Sequence, residues 1–374
     1  MLAESVPQDT WRLLSVILPL VVAGLPAAAS SQAPPLTGQQ LYAAACQSCH
    51  APDGRGMPQA HVGFGDAIPD FTDCSYASRE AAQDWETVVG RGGPSRRFSQ
   101  RMPAFAGALT PDEIARVVDY VRRFCTESSW PRGEMNLPRA TFTEKAFPED
   151  EVVLNGEWVG REGARVGTST LIVEKRVGSR TQWELQLPVS VREMPSGAPV
   201  HWTGVQMGDV SLALKRAVLH NESGILSLGS ELTFPTGDRT RGFGDGSLKY
   251  EPFFLGALAF PANFFAQVHG GVEIPFRNTA STERFFRGAV GTTVFIGGRA
   301  FSPIAEGLFW KTTAAGARSN VDWIPQMQVS LSRRQHILGS VGYRIPITNR
   351  ASRSRSLVAY IIWDWFDGPL LGGW

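Results

Sequence analysis

From residue 151 onward, apolar and polar side chains alternate. In "ILSLGSELTF", Leu226, Leu228, Leu232 and Phe234 take one side, and Ser227, Gly229, Glu231 and Thr233 take the other. Met327, Val329 and Leu331 alternate with glutamines and serines, and Val210, Leu212 and Leu214 alternate with Ser211, Ala213 and Lys215. A period of two is that of a strand with one apolar and one polar face. The pattern predicts twelve strands, near 151–160, 169–176, 182–191, 209–219, 225–234, 247–256, 263–273, 284–295, 300–310, 324–333, 337–345 and 356–365. Most are about ten residues long, which suits a tilted strand crossing a bilayer.

The connections sharpen this expectation. Those after the third, fifth and ninth strands are long ("REMPSGAPVHWTGVQMG", "PTGDRTRGFGDG", "KTTAAGARSNVDW"), and those after the fourth, eighth and tenth are short ("HNESG", "IGGR", "RRQ"). Outer-membrane barrels alternate in this way, with short turns in the periplasm and long loops outside. Aromatic residues cluster near strand ends (Phe253/Phe254, Phe264/Phe265, Phe285/Phe286, Phe309/Trp310, Trp363/Trp365), where an interfacial girdle is expected, and the chain ends on Trp374. The alternative is a soluble β-sandwich, whose core-facing side gives the same alternation.

Before residue 150 the period changes. Ile114, Val117, Val118, Val121 and Phe124 recur at helical spacing, after Thr110-Pro111-Asp112-Glu113, a capping box with proline at the first helical position. Thr37-Gly38-Gln39-Gln40 is a second capping box, opening a short helix with Leu41 and Tyr42. The division expected is an export signal at 1–29, a small all-α domain at 34–128, a linker at 129–148 and the barrel at 149–374. The signal rests on an apolar run from Leu13 to Leu25 and the small residues Ala27-Ala28-Ala29. The linker holds prolines and no clean periodicity.

Composition adds little. The chain has 374 residues and a formal net charge of +1, so no strong field draws it to nucleic acid. Charged residues are 19% of the total, below the usual quarter, while 39 glycines and 11 tryptophans suit β structure with aromatic anchoring.

The chemistry is concentrated in "CQSCHAPDGRG", residues 46–56. C-x-x-C-H is the attachment pattern of one haem c: Cys46 and Cys49 add to the vinyl groups and His50 falls beneath the iron. A zinc site would want a second close pair, and none occurs. The second axial ligand is expected from a loop before the last helix. Met102 in "RMPAF" fits, and Met57 and His61 are the alternatives. Cys74 and Cys125 are left over; in an exported chain a disulfide between them is the expectation, two free thiols the alternative. His201, His220, His269 and His336 are scattered and expected in loops or the lumen.

Residues 37–125 resemble a class I cytochrome c in the N-terminal helix, Cys46-Gln47-Ser48-Cys49-His50, Gly54/Gly56, Met102-Pro103-Ala104-Phe105 and the closing helix with Tyr120. The resemblance implies a haem-propionate contact from Trp85. A second stretch, "GDVSLALKRAVLHN…LSLGSELTFPTGDRTRGFGDG" (208–246), resembles the outer-membrane transporter family associated with phenol degradation, which implies a barrel that passes small or apolar compounds. The overall layout resembles the fused cytochrome–porins of iron-oxidising bacteria.

These readings predict a multidomain chain, a small class I cytochrome c domain followed by an antiparallel transmembrane barrel of about twelve strands. It is expected in the bacterial outer membrane, in contact with its lipid. A folded domain of this size is about 26 Å across, too wide for the lumen, and belongs at the periplasmic mouth. The expected role is single-electron transfer with a periplasmic redox partner, as a carrier rather than a catalyst, met through Arg91, Arg96, Arg97 and Arg101. The competing role is transport of a small-molecule solute, with the haem domain as accessory or gate.

Overall fold

The structure, a computed structural model, describes residues 34–160, 165–194, 201–277 and 281–364. Twelve long antiparallel strands form one sheet: β1 (Glu151–Val159), β2 (Val166–Val177), β3 (Thr181–Met194), β4 (Val210–His220), β5 (Gly224–Phe234), β6 (Lys249–Ala259), β7 (Phe264–Pro275), β8 (Glu283–Thr292), β9 (Arg299–Thr312), β10 (Asn320–Ser330), β11 (Ile337–Pro346) and β12 (Ser356–Asp364). Every strand pairs with its neighbours in the chain, and β1 pairs with β12 from Glu151↔Asp364 to Val159↔Ser356. The sheet is therefore a closed barrel without free edges. Three short strands, His201–Trp202, Gln206–Met207 and Val294–Ile296, extend the ladders of β3 and β9.

The side chains are sorted in the reverse of a soluble protein. Leu212, Leu214, Leu228, Phe254, Phe286, Val290, Met327, Val341 and Ile361 point outward and are exposed. Glu174, Glu184, Lys215, Ser227, Gln267, Glu306, Gln326 and Gln328 point inward and are buried. Burying one large apolar side chain is worth about 1.5–3 kcal/mol, so an apolar outer band belongs in hydrocarbon rather than water. This sorting excludes the sandwich. It also divides the aromatic pairs expected as a girdle: Phe254, Phe264, Phe286 and Phe309 face outward, whereas Phe253, Phe265 and Phe285 are buried inside. The reason is the strand itself, in which adjacent residues point to opposite faces. Trp365, Trp374 and the export signal lie outside the described residues.

Connections alternate around the barrel. At one end are 178–180, 221–223, 260–263, 293–298 and 331–336; at the other, among the described residues, are 201–209, 235–248, 313–319 and 347–355. The connection after β9 is shorter than its sequence suggested, because β9 and β10 run further into it.

The helical domain has α1 (Gly38–Ala45), α2 (Gln47–His50), α3 (Gln59–Val62), α4 (Cys74–Ala77), α5 (Ala82–Arg91) and α6 (Pro111–Val121). Both capping boxes form, Thr37 with Gln40 and Thr110 with Glu113. Leu41 and Tyr42 of α1 pack with Val117 and Val121 of α6. Cys74 and Cys125 are joined, with Cα atoms 5.0 Å apart.

The segment between the two parts does not run through solvent. It rises into the lumen and returns to the same end. On the way up, Arg139 N donates to Gln328 (3.0 Å), the Thr141 hydroxyl to Gln326 (2.8 Å) and the Thr143 hydroxyl to Glu306 (2.8 Å). On the way down, the carbonyls of Lys145 and Ala146 accept from Lys215 and Ser227 (both 2.6 Å), and Glu149 N donates to Gln182 (2.6 Å). Its charges are paired: Arg139 bridges Glu151 (2.8 Å) and Glu174 (2.7 Å) on the wall, and Lys145 pairs with Glu149 of the same segment (2.8 Å) and with Glu151 (3.3 Å). Buried charges are tolerated only when paired in this way.

Candidate functional site

The attachment sequence folds as one helical turn. Cys49 N and His50 N both donate to the Cys46 carbonyl (3.1 and 3.0 Å), which closes one turn with Cys46 at the start of α2 and Cys49 and His50 at its end. The Tyr42 hydroxyl, fixed by the α1–α6 core, donates to the carbonyls of His50 (3.1 Å) and Ala51 (2.6 Å). Gly54 then turns the chain at φ +76°, where a Cβ would come within 2.6 Å of the Phe124 ring. Only glycine suits that position.

His50 lies over Phe71, with ring centroids 4.8 Å apart and planes 22° apart. Phe71 in turn meets Trp85 of α5 (5.5 Å), which meets Tyr76 (5.8 Å). His50 Nδ1 and Trp85 Nε1 are buried and have no hydrogen-bond partner. Burial holds the His50 imidazole down to about 4, so it is neutral, with a lone pair to give, at pH 7. Burial, together with the neighbouring Cys49, pushes the Cys46 thiol up to about 11. Cys46 and Cys49 are free, while the other two cysteines are joined.

Met102 comes from a separate loop, 92–102, that closes on itself. Gly93 N donates to the Met102 carbonyl (3.0 Å), Phe98 N to the Gly93 carbonyl (2.9 Å) and Met102 N to the Ser99 carbonyl (3.3 Å). Gly92 has φ +79°, and a Cβ there would lie 2.9 Å from the Met102 oxygen. Met57 follows α2, its N–H donating to the Cys49 carbonyl (2.8 Å), and His61 is exposed on α3.

The same loop meets the barrel at its short turns. Arg96 Nη1 donates to the carbonyls of Gly298 (3.2 Å) and Arg333 (3.3 Å), and its Nη2 donates to Asp84 of α5 (2.7 Å). Gln335 donates to the same Asp84 oxygen (3.2 Å), Arg334 donates to the Arg97 carbonyl (3.0 Å), and the Arg334 guanidinium covers Phe98 at 5.1 Å. Burial pushes the Asp84 carboxyl up, against the pull of Arg96. On other short turns, Arg180 donates to the Ser129 carbonyl (2.9 Å) and Glu222 pairs with Arg132 (3.4 Å). Arg96, expected to face a redox partner, is thus buried against the barrel. Sequence reasoning missed this role because its partners are mainly backbone carbonyls, which carry no residue signature; Tyr42 and Phe71, two apolar-looking positions, were equally silent.

Residues 33–121 match the family described as cytochrome C oxidase, cbb3-type, subunit III. Cytochrome c6 from Euglena gracilis is 31% identical over 84 residues, which is 22% of this chain and 85% of that protein. The chain belongs to the cytochrome c family. Cytochrome c6 from Picosynechococcus sp. is 28% identical over 121 residues, 31% of this chain and 93% of that one. Among solved structures, an outer membrane channel from Pseudomonas putida F1 aligns at 11% identity over 61% of this chain and 100% of its own, with a TM-score of 0.43. The NanC porin aligns at 10% identity over 57% and 99%, with a TM-score of 0.40.

Membership of the cytochrome c family implies a haem cofactor, and the residues present fit one. Two free thiols stand one turn apart beside a neutral imidazole, and two buried ring nitrogens want acceptors. When bound, the haem supplies a reversible one-electron change at iron. Cys46, Cys49 and His50 would hold it; Tyr42 fixes the backbone behind the imidazole, and Phe71 stacks on its ring face.

Proposed function

We propose that this chain is a single-haem c-type cytochrome anchored in the outer membrane by its barrel, exchanging electrons with a periplasmic partner. Cys46 and Cys49 hold the haem through thioethers, His50 and Met102 are its axial ligands, and Trp85 Nε1 has a propionate as its acceptor. The observation that carries the reading is the joint placement of the two parts. The cytochrome domain is bonded to the short-turn rim, the periplasmic side of such barrels, and the chain linking it to β1 occupies the lumen. Arg91, Arg97 and Arg101 are exposed, the last beside Met102, and are the charges offered to an acidic partner. A His/Met-ligated iron has no open position, which favours a carrier over a catalyst.

The transport reading, with its resemblance to the phenol-degradation family, requires residues 137–149 to leave the lumen and break the Arg139 and Lys145 ion pairs. The test is a potentiometric titration of the protein purified in detergent. A single reversible one-electron wave with low-spin spectra in both states is expected. A high-spin ferrous form that binds external ligands at once would overturn the carrier reading.

A further inference from the structure

The loop that bears Met102 has no apolar anchor. Of residues 92–102 only Gly92, Gly93 and Arg96 are buried; Phe98 is 39% exposed and Met102 half-buried. Apolar packing therefore contributes little to its order. It is held by five internal backbone bonds, by the Ser99 hydroxyl on Asp66 and by the guanidinium of Arg96, which is only 4% exposed. Arg96 reaches both ways, to Asp84 on α5 and to the carbonyls of Gly298 and Arg333 on two barrel turns. Arg334 and Gln335 reinforce the contact from the barrel side.

We infer that Arg96 is a positioning residue for Met102: it pins the methionine loop to the barrel rim, so that iron ligation by the thioether depends on the docking of the two domains. The inference rests on the reading of Met102 as the axial ligand. A thioether is a weak, neutral donor, and its hold on the iron reflects how firmly its loop is kept in place. His50 is different, being covalently adjacent to Cys49 and backed by Tyr42. Loosening the rim contact should release the methionine side of the haem and leave the histidine side intact. Hydrogen bonds from a charged group are worth about 1.5–3 kcal/mol, so loss of Arg96 should lower the ratio of methionine-bound to methionine-free haem by about tenfold or more.

The experiment uses the full-length, haem-loaded protein in detergent and compares Arg96→Ala, Arg96→Lys, Arg334→Ala combined with Gln335→Ala, and Met102→Ala. The first readout is the methionine-to-iron charge-transfer band of the ferric protein. The second is hydrogen exchange of the amides in 92–102, which does not depend on redox activity. Arg96→Ala should weaken the band and speed exchange in 92–102, leaving the Cys46–His50 turn unchanged. Arg96→Lys, which keeps the charge beside Asp84 but lacks the fork that reaches Asp84 and the barrel carbonyls at once, should fall between. The barrel-side double variant should act in the same direction, and it keeps the test open if Arg96→Ala fails to load haem. An unchanged band and unchanged exchange in the Arg96 and barrel-side variants, with the band abolished in Met102→Ala, would overturn the inference alone. A band that survives Met102→Ala would overturn the axial reading, and the inference with it.

Discussion

Glu134 joins three parts of the cytochrome domain. It accepts both guanidinium nitrogens of Arg122, at the end of α6, and the N–H of Ala82, at the start of α5. Burial pushes its carboxyl up, but the hydrogen bond and charge of Arg122 outweigh that and leave it below the usual range. A carboxyl held low in the folded state stabilises at pH above its ordinary value of 4.5 and loses that contribution as pH falls through the folded value. The melting temperature, followed through the haem absorbance, should therefore fall as pH drops below about 4.5. Glu134→Gln should flatten this slope and cost about 3 kcal/mol at neutral pH, since it strands a buried guanidinium. At Gly54 a side chain meets both a positive φ and the Phe124 ring. Gly54→Ala should destabilise the domain by about 1–3 kcal/mol in chemical denaturation, more than the strain-free substitution would allow.

Among elements, the second capping box is the simplest to check. The Thr110 hydroxyl accepts the Glu113 N–H, while the Glu113 carboxylate accepts the Thr110 N–H (2.9 Å). Thr110→Ala should cost about 1 kcal/mol, read by denaturant titration. Caps and strands were legible in the sequence because each is decided by neighbours within a few residues. Period two located β4, β5 and β12 almost to the residue, and the CxxCH turn is equally local. The lumen segment was not legible. Its Arg139, Lys145 and Glu149 look like ordinary linker charges until Glu151, Glu174 and Lys215 are brought around them by closure of the sheet. Nor does alternation say which of two adjacent phenylalanines faces lipid; that depends on the register of the closed barrel.

For the whole molecule, the outward apolar band predicts that the mature protein fractionates with membranes and shifts its gel migration on heating. Recovery from the periplasm without detergent would contradict the barrel's placement. With residues 137–149 in the lumen, the protein reconstituted in a planar bilayer should show little conductance. Deletion of 138–147 should open discrete channels. Protease added to intact cells should spare the cytochrome domain, and protease added after permeabilisation should release it. Cleavage in intact cells would instead place the haem outside.

Arg139 has a consequence for how the molecule is built. It binds Glu151 on β1 and Glu174 on β2, while the Tyr360 hydroxyl of β12 donates to its carbonyl. The first and last strands, the two that must find each other to finish the cylinder, are thus stapled across their seam by the residues just upstream of the first. The segment enters and leaves at one end, so it can be drawn in only from that side. A barrel closed in a slipped register would misplace Tyr360 or Glu151 and leave Arg139 as an unneutralised charge in the interior. The chain therefore carries an internal gauge of correct closure, and the heme-bearing domain is tethered to that gauge from the first moment of assembly.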